Sequence, residues 1–286
     1  MLQRIKYSKQ RFIALSLFLL NFLFITLNAQ DNLKVNQSVT EILLSDITSL
    51  GEDALTFYTG PFSFSKSGAL YTSGVAAGTG LLMYFDDDLR NKIGRQTIKT
   101  LNNDFWDIPT RYGIVSYANI AALSTYAAGL IFKKDKVRIT GRLLFESLSI
   151  SGVTVVLARY VFARSRPYSG EGQWKYNWFE WNNEIESFPS GHTTVAFAFS
   201  TVLAERIDNN WARLGLYGLA SLTAFARVYN NQHWASDVFV GALLGFVTGM
   251  HVINKEEQRE GNADNLMNRI EFYNRLTQLG IRVRLD

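Results

Sequence analysis

The chain has 286 residues, a formal net charge of +4, 47% hydrophobic and 19% charged residues, four prolines and no cysteine. That apolar share can build one or two packed domains and excludes a disordered or collagen-like chain. Without cysteine there are no disulfides, thiol nucleophiles or thiolate zinc sites, and His192, His233 and His251 are the only imidazoles, so no cofactor and no dedicated zinc centre are expected.

Residues 1–29 read as a signal peptide. Arg4, Lys6, Lys9 and Arg11 precede an apolar run over 12–27, and Ala29 offers a small residue at a cleavage point. Leu27 fits the position three before the cut poorly, which leaves an uncleaved anchor as the alternative. Residues 30–67 form an exported segment whose Val39, Ile42, Leu43, Ile47 and Leu50 recur at helical spacing, predicting a surface helix that ends at Gly51.

Residues 68–254 carry six apolar stretches, at 68–85, 112–132, 143–162, 190–204, 214–226 and 238–253. All read as helices, because prolines are rare and Ala, Leu and Gly dominate. The tail 255–286 is polar, with an amphipathic turn over 267–279 and an alternation at Ile281, Val283 and Leu285. The expected fold is all-α: a membrane-associated helical bundle of about six core helices behind the signal peptide.

A bilayer span needs roughly 20 apolar residues, and only 112–132 supplies them without a charge, since 143–162 contains Glu146 and Arg159. If the leader is cut and all six stretches span, the cluster Lys133, Lys134, Lys136 and Arg138 faces outward, against the positive-inside rule. Five spans place that cluster inside and the connection 168–188 on the exported side. A soluble exported bundle fits as well, so the active site is expected to face the periplasm, either at the inner membrane or free of it. Other basic residues are interleaved with acids, and nucleic acid is not expected as a partner.

Three short segments concentrate Arg, His and Ser near helix ends. In the first, Arg159 and Arg166 lie seven apart on one helix face, and Pro167 ends the helix. They can converge on an anion or merely snorkel at a helix end. In the second, Pro189-Ser190-Gly191-His192 opens a helix: Ser190 can cap it, Gly191 lets backbone approach a ligand, and the free amides favour negative charge. An ordinary cap followed by a surface histidine would look the same. In the third, Arg227 is followed by His233 and then Asp237; a His and an Asp four apart on a helix can pair, fixing the imidazole tautomer for nucleophilic or for purely structural purposes.

Taken together, RYVFARSRP, PSGH and ARVYNNQHWASD resemble, in order and spacing, the signature of the type 2 phosphatidic acid phosphatase superfamily, which includes bacterial class A acid phosphatases and vanadium haloperoxidases. The resemblance spans about 143–253. Arg159 stands where that family usually has Lys, and Ala226 where it usually has Ser; Arg keeps the charge and adds a fork suited to phosphate. The resemblance implies a metal-independent phosphoryl transfer, with His233 as nucleophile, His192 as general acid and base, and Asp237 orienting His233. Arg159, Arg166, Arg227, Ser190 and Gly191 would bind the phosphate. His251 lies outside this set, as a packed or interfacial imidazole.

The connection 168–188 interleaves Trp174, Tyr176, Trp178, Phe179 and Trp181 with Glu171, Lys175, Glu180, Glu184 and Glu186. Such aromatics suit the headgroup level of a bilayer or a lid over the bundle. The expected substrate is a phosphorylated lipid, such as phosphatidate, phosphatidylglycerol phosphate, undecaprenyl diphosphate or lipid A. Small phosphoesters, hydrolysed by a soluble periplasmic acid phosphatase, and vanadate-dependent halide oxidation are the alternatives.

Overall fold

The structure is a computed structural model that describes residues 38–60, 66–94, 103–180, 186–261, 270–275 and 278–283. The signal peptide, Trp181, Glu184 and Leu285 lie outside them. The described residues form α1 (Val39–Thr59), α2 (Lys66–Ile93), α3 (Asn103–Tyr112), α4 (Val115–Ile131), α5 (Asp135–Phe162), α6 (Gly191–Ile207), α7 (Asn210–Tyr229) and α8 (Ala235–Glu260). The bundle is helical throughout, as expected. An antiparallel hairpin, β1 (Ile270–Arg275) and β2 (Gln278–Val283), follows it where the sequence suggested a turn, with Ile270 opposite Val283.

α6 is the centre. Val195, Ala196, Ala198, Phe199, Val202, Leu203 and Ala204 are all buried, packed with Leu143, Leu144 and Leu148 of α5 and Val252 and Ile253 of α8. α8 meets α6 through Gly241, Gly245 and Gly249, four apart on one face. A Cβ there would stand 2.6 Å from the Ser190 carbonyl oxygen, 2.3 Å from that of Thr194 and 2.7 Å from Thr201 Cβ. Only glycine permits this backbone contact, the small-residue packing common between membrane helices.

The run 112–132 does not make one helix. α3 ends at Tyr112 and a turn at Gly113 intervenes, because Gly113 abuts the His192 carbonyl so closely that a Cβ would sit 2.4 Å from its oxygen. α4 is left with 17 residues, and among the described residues the helices long and apolar enough to cross a membrane are instead α5 and α8.

α1 starts at a capping box, with the Ser38 N–H donating to Glu41 Oε2 at 2.8 Å and the Glu41 N–H to Ser38 Oγ at 3.3 Å. It runs through Gly51 to Thr59 rather than stopping there. A mid-helix glycine costs only about 1 kcal/mol, and Asp53, two residues on within that extension, pairs with Arg259 at 2.5 Å. The helix is turned inside out: Asp46, Ser49 and Asp53 are buried with Ile42, while Leu44, Ile47 and Leu55 are more than 60% exposed. Its inner face feeds ion pairs, Asp46 with Arg138 and Asp53 with Arg259, beside the Arg142 to Glu256 pair. His251 packs here, with Nε2 2.9 Å from the Asp53 carbonyl oxygen and its ring edge-on to Phe57.

Candidate active site

The end of α5, the connecting residues 163–180 and 186–190, the start of α6, the end of α7 and the turn before α8 meet at one end of the bundle. The glycine contact of α6 with α8 fixes part of this junction, and the Ser190 N–H donates to the Asp237 carbonyl at 3.0 Å.

His233 is 1% exposed and lies in the turn before α8, not on the helix. Its Nδ1 is 2.8 Å from the Ser187 carbonyl oxygen. A carbonyl can only accept, so the ring proton sits on Nδ1 and Nε2 keeps a free lone pair. The expected pairing with Asp237 is not made: Oδ2 is 3.8 Å from Nδ1, beyond hydrogen-bond reach. Asp237 instead accepts from Ser187 Oγ at 2.5 Å, from the Trp234 N–H at 2.9 Å and from Arg164 Nη1 at 2.5 Å. It holds the residue that holds the imidazole.

Arg159, Arg166 and Arg227 surround this ring. Arg159 Nε donates to the Pro189 carbonyl at 3.3 Å, and its Nη1 lies 3.6 Å from Glu186. Arg166 reaches Gln232 Oε1 at 3.3 Å and the Glu186 carbonyl at 3.4 Å. The Nε atoms of Arg166 and Arg227 are buried without a protein partner. Three guanidiniums this close repel one another: burial and the charges of Arg166 and Arg159 push the Arg227 pKa down to about 10. Both catalytic-candidate imidazoles belong to the same neighbourhood. Burial and the charges of Arg227, Arg159 and Arg166 push His192 down to about 3. Burial and the same three arginines, with His192, hold His233 well below the usual histidine range. Both rings are neutral at physiological pH, and of the three arginines only Arg159 has a carboxylate, Glu186, within 4 Å among the described residues. A tetrahedral oxyanion supplies negative charge together with acceptors for the unpartnered nitrogens. Guanidiniums repel cations, so this donor set does not fit a metal, and no group of three metal-ligating side chains occurs among the described residues.

Ser190 occupies the N-cap of α6 without capping it; its hydroxyl is 3.0 Å from Thr193 Oγ1, and no side chain caps the helix at that position. Gly191 abuts Arg159: a Cβ would stand 2.9 Å from Nη2, the mobile end of a side chain. Gly191→Ala is therefore expected to displace that guanidinium rather than the backbone, raising KM for a phosphoester about tenfold with a thermal midpoint close to wild type. Steady-state kinetics beside a melting curve check this. Ala226 is fully buried in a small cluster with Trp106 and Tyr229, so its side chain serves packing.

Three residues of the site went unrecognised in the sequence: Ser187, Arg164 and Asp86. Arg164 stood in view between Arg159 and Arg166. Asp86 belongs to an acidic triplet at the end of an apolar stretch, and nothing local distinguishes it from Asp87 and Asp88.

The connection folds back as a bridge between Arg164 and Tyr176, with the Ser165 N–H on the Lys175 carbonyl and the Asn177 N–H on that of Ala163, both at 3.0 Å. Tyr176 stacks on Trp178, which also touches Phe162. Trp174, Trp178 and Phe179 remain more than half exposed.

Residues 140–260 match the PAP2 superfamily. Among curated proteins, the chain is similar to a lipid A 1-phosphatase of Porphyromonas gingivalis, 32% identical over 121 residues, covering 41% of this chain and 24% of that protein. It is also similar to lipid A 1-phosphatases of Rhizobium etli and Rhizobium johnstonii, each 30% identical over 107 residues and 37% of this chain, covering 45% and 43% of those proteins. The matched stretch thus spans less than half the length of each relative. Among solved structures, the crystal structure of Aquifex aeolicus LpxE aligns with 56% of this chain and 92% of its own, at 25% identity and a TM-score of 0.43.

Proposed function

We propose that this chain, whose residues 140–260 belong to the PAP2 superfamily, is a phosphatase that hydrolyses a lipid phosphate monoester through a phosphohistidine. A lipid A type 1-phosphate is its leading substrate. One observation carries the reading: Nδ1 of His233 is committed to the Ser187 carbonyl, leaving Nε2 as a neutral nucleophile among three arginines.

In the first step His233 Nε2 attacks phosphorus in line, the bond from phosphorus to the leaving oxygen breaks, and His192 gives that oxygen a proton. Arg159, Arg166 and Arg227, with the Gly191 amide and the Ser190 hydroxyl, hold the equatorial oxygens as charge redistributes. In the second step neutral His192 takes a proton from water, the water oxygen attacks phosphorus, and the bond from phosphorus to Nε2 breaks, releasing inorganic phosphate. His192 must gain a proton before the first step. An incoming phosphate offsets the arginine charges that hold its pKa down, and a monoanion brings the proton with it.

Three features support a lipid substrate: the relatives are lipid A phosphatases, α5 and α8 have the length and composition of membrane spans, and α1 turns its leucines outward. The exposed Trp174, Trp178 and Phe179 then lie at the headgroup level, on the periplasmic side of the inner membrane.

Purified protein assayed against lipid A, phosphatidate, phosphatidylglycerol phosphate, undecaprenyl diphosphate and p-nitrophenyl phosphate tests the proposal. Lipid A is expected to be the best substrate by at least about tenfold in kcat/KM, with EDTA without effect and vanadate inhibitory. Preference for p-nitrophenyl phosphate would point to a general acid phosphatase, and halide oxidation after vanadate loading to a haloperoxidase.

A further inference from the structure

The α2 helix lies outside the stretch that matches the superfamily, yet it reaches the His233 turn at two points one helical turn apart. Arg90 Nε donates to Asn231 Oδ1 at 2.7 Å, and its guanidinium sits over the Trp234 ring at 5.6 Å. Asp86, 1% exposed, accepts the Ser236 N–H at 2.9 Å and the Ser236 hydroxyl at 2.5 Å. Ser236 is the second residue of α8, so this carboxylate occupies the place where a helix start favours negative charge.

Asp86 also accepts from Arg164 Nη2 at 2.9 Å. Arg164 is completely buried, with Nε and Nη2 donating to the Gln173 carbonyl at 2.9 and 2.7 Å, and Nη1 to Ser236 Oγ at 2.7 Å and Asp237 at 2.5 Å. One guanidinium thus bridges two buried carboxylates. Asp237 grips Ser187 Oγ, and the Ser187 carbonyl takes the His233 ring proton.

We infer that Asp86 is a positioning residue for His233, acting through Arg164, Asp237 and Ser187 to fix the carbonyl that sets the imidazole's tautomer and direction. The inference deepens the phosphatase reading and rests on it for its kinetic consequence. Buried polar chains of this kind are either fully satisfied or costly. Loss of the Asp86 charge leaves Asp237 as the one carboxylate on Arg164, beside the Gln173 carbonyl and the Ser236 hydroxyl, so the guanidinium shifts toward Asp237 and loosens that carboxylate's hold on Ser187.

Asp86→Asn is expected to lower kcat 10- to 100-fold while KM and the vanadate inhibition constant stay within threefold of wild type, because the three phosphate-binding arginines are untouched. Asp86→Glu should recover part of the loss, and Asp88→Asn, exposed on the same helix, should match wild type. If Asp86→Asn does not fold, Ser236→Ala, which removes the hydroxyl shared by Asp86 and Arg164, is read the same way. A second measurement needs no turnover. In protein labelled with 15N at its three histidines, the Nδ1 proton signal of His233, assigned by its loss in His233→Ala, should move or broaden in Asp86→Asn. A kcat within twofold of wild type, a parallel loss of vanadate affinity, or an unmoved Nδ1 signal would overturn the inference. An inactive wild type whose Nδ1 signal still responds to Asp86→Asn would count against the phosphatase reading and for the positioning role.

Discussion

Replacing His233 with alanine is expected to lower kcat by at least about 10⁴-fold with little change in KM, because the nucleophile is lost while the anion seat remains. Rapid quench of wild type with labelled substrate should trap an acid-labile phosphoenzyme that the variant cannot form. Asp237→Asn should cost far less, about 10- to 100-fold. Asp237 lies 3.8 Å from the ring and touches it only through Ser187, and with Asp or Asn at 237 the ring proton stays on Nδ1, donated to the Ser187 carbonyl. Activity of His233→Ala within tenfold of wild type, or no phosphoenzyme at any quench time, would reject His233 as nucleophile.

Arg227→Met should break activity and strengthen the fold together. Arg227 is 8% exposed, and its pKa is pushed down to about 10 by burial and by Arg166 and Arg159. Keeping it charged at neutral pH therefore costs about 3 kcal/mol, at 1.36 kcal/mol per pKa unit. Methionine fills similar volume without charge. A fall in kcat/KM of about 10²- to 10³-fold is expected, with a higher thermal midpoint in phosphate-free buffer at pH 7.5.

The same variant should blunt acid sensitivity, and the sign follows from His192. Its pKa is about 3 in the fold against 6.5 in the free residue, so between those values the unfolded chain takes up a proton that the native state refuses. The contribution to stability is whole above pH 6.5 and is lost as pH falls toward 3. Removing the nearby Arg227 charge raises the native pKa and narrows that window. Thermal midpoints at pH 7.5 and 4.5, for wild type and Arg227→Met, check both effects; a lower midpoint for the variant at pH 7.5 would contradict the electrostatic account.

The helices and the three motif segments were legible because each depends on nearby residues: apolar spacing, a Pro-Ser-Gly-His step that opens α6. The shared helix face expected for Arg159 and Arg166 is not formed, because α5 ends at Phe162, where Ala163 turns left-handed, and Pro167 instead starts a short 3-10 turn that has Arg166 as its cap. Orientation was less legible. The spacing of Val39, Ile42 and Ile47 marks a helix, but Asp46, Ser49 and Asp53 share the same period, and which face turns inward is decided by Arg138 and Arg259, far along the chain. The pairing expected between His233 and Asp237 assumed a continuous helix, whereas α8 begins only at Ala235. Gly113 split an apolar run because of a contact with His192 that no local pattern encodes. Asp86 was hidden for the same reason, since its partners Arg164 and Ser236 are 78 and 150 residues away.

The line of glycines in α8 has a consequence for how such a protein diversifies. With two backbones locked face to face, the histidine-bearing ends of α6 and the α8 turn behave as one rigid block, and sequence drift there is penalised at once. The connection leaves that same end of the bundle, tied down by the bridge between Arg164 and Tyr176 and by Arg164 on the Gln173 carbonyl, while Trp174, Trp178 and Phe179 stand exposed and can change without disturbing those ties. Selectivity toward new phosphorylated compounds can therefore be rewritten in that appendage while the reaction machinery is inherited unaltered.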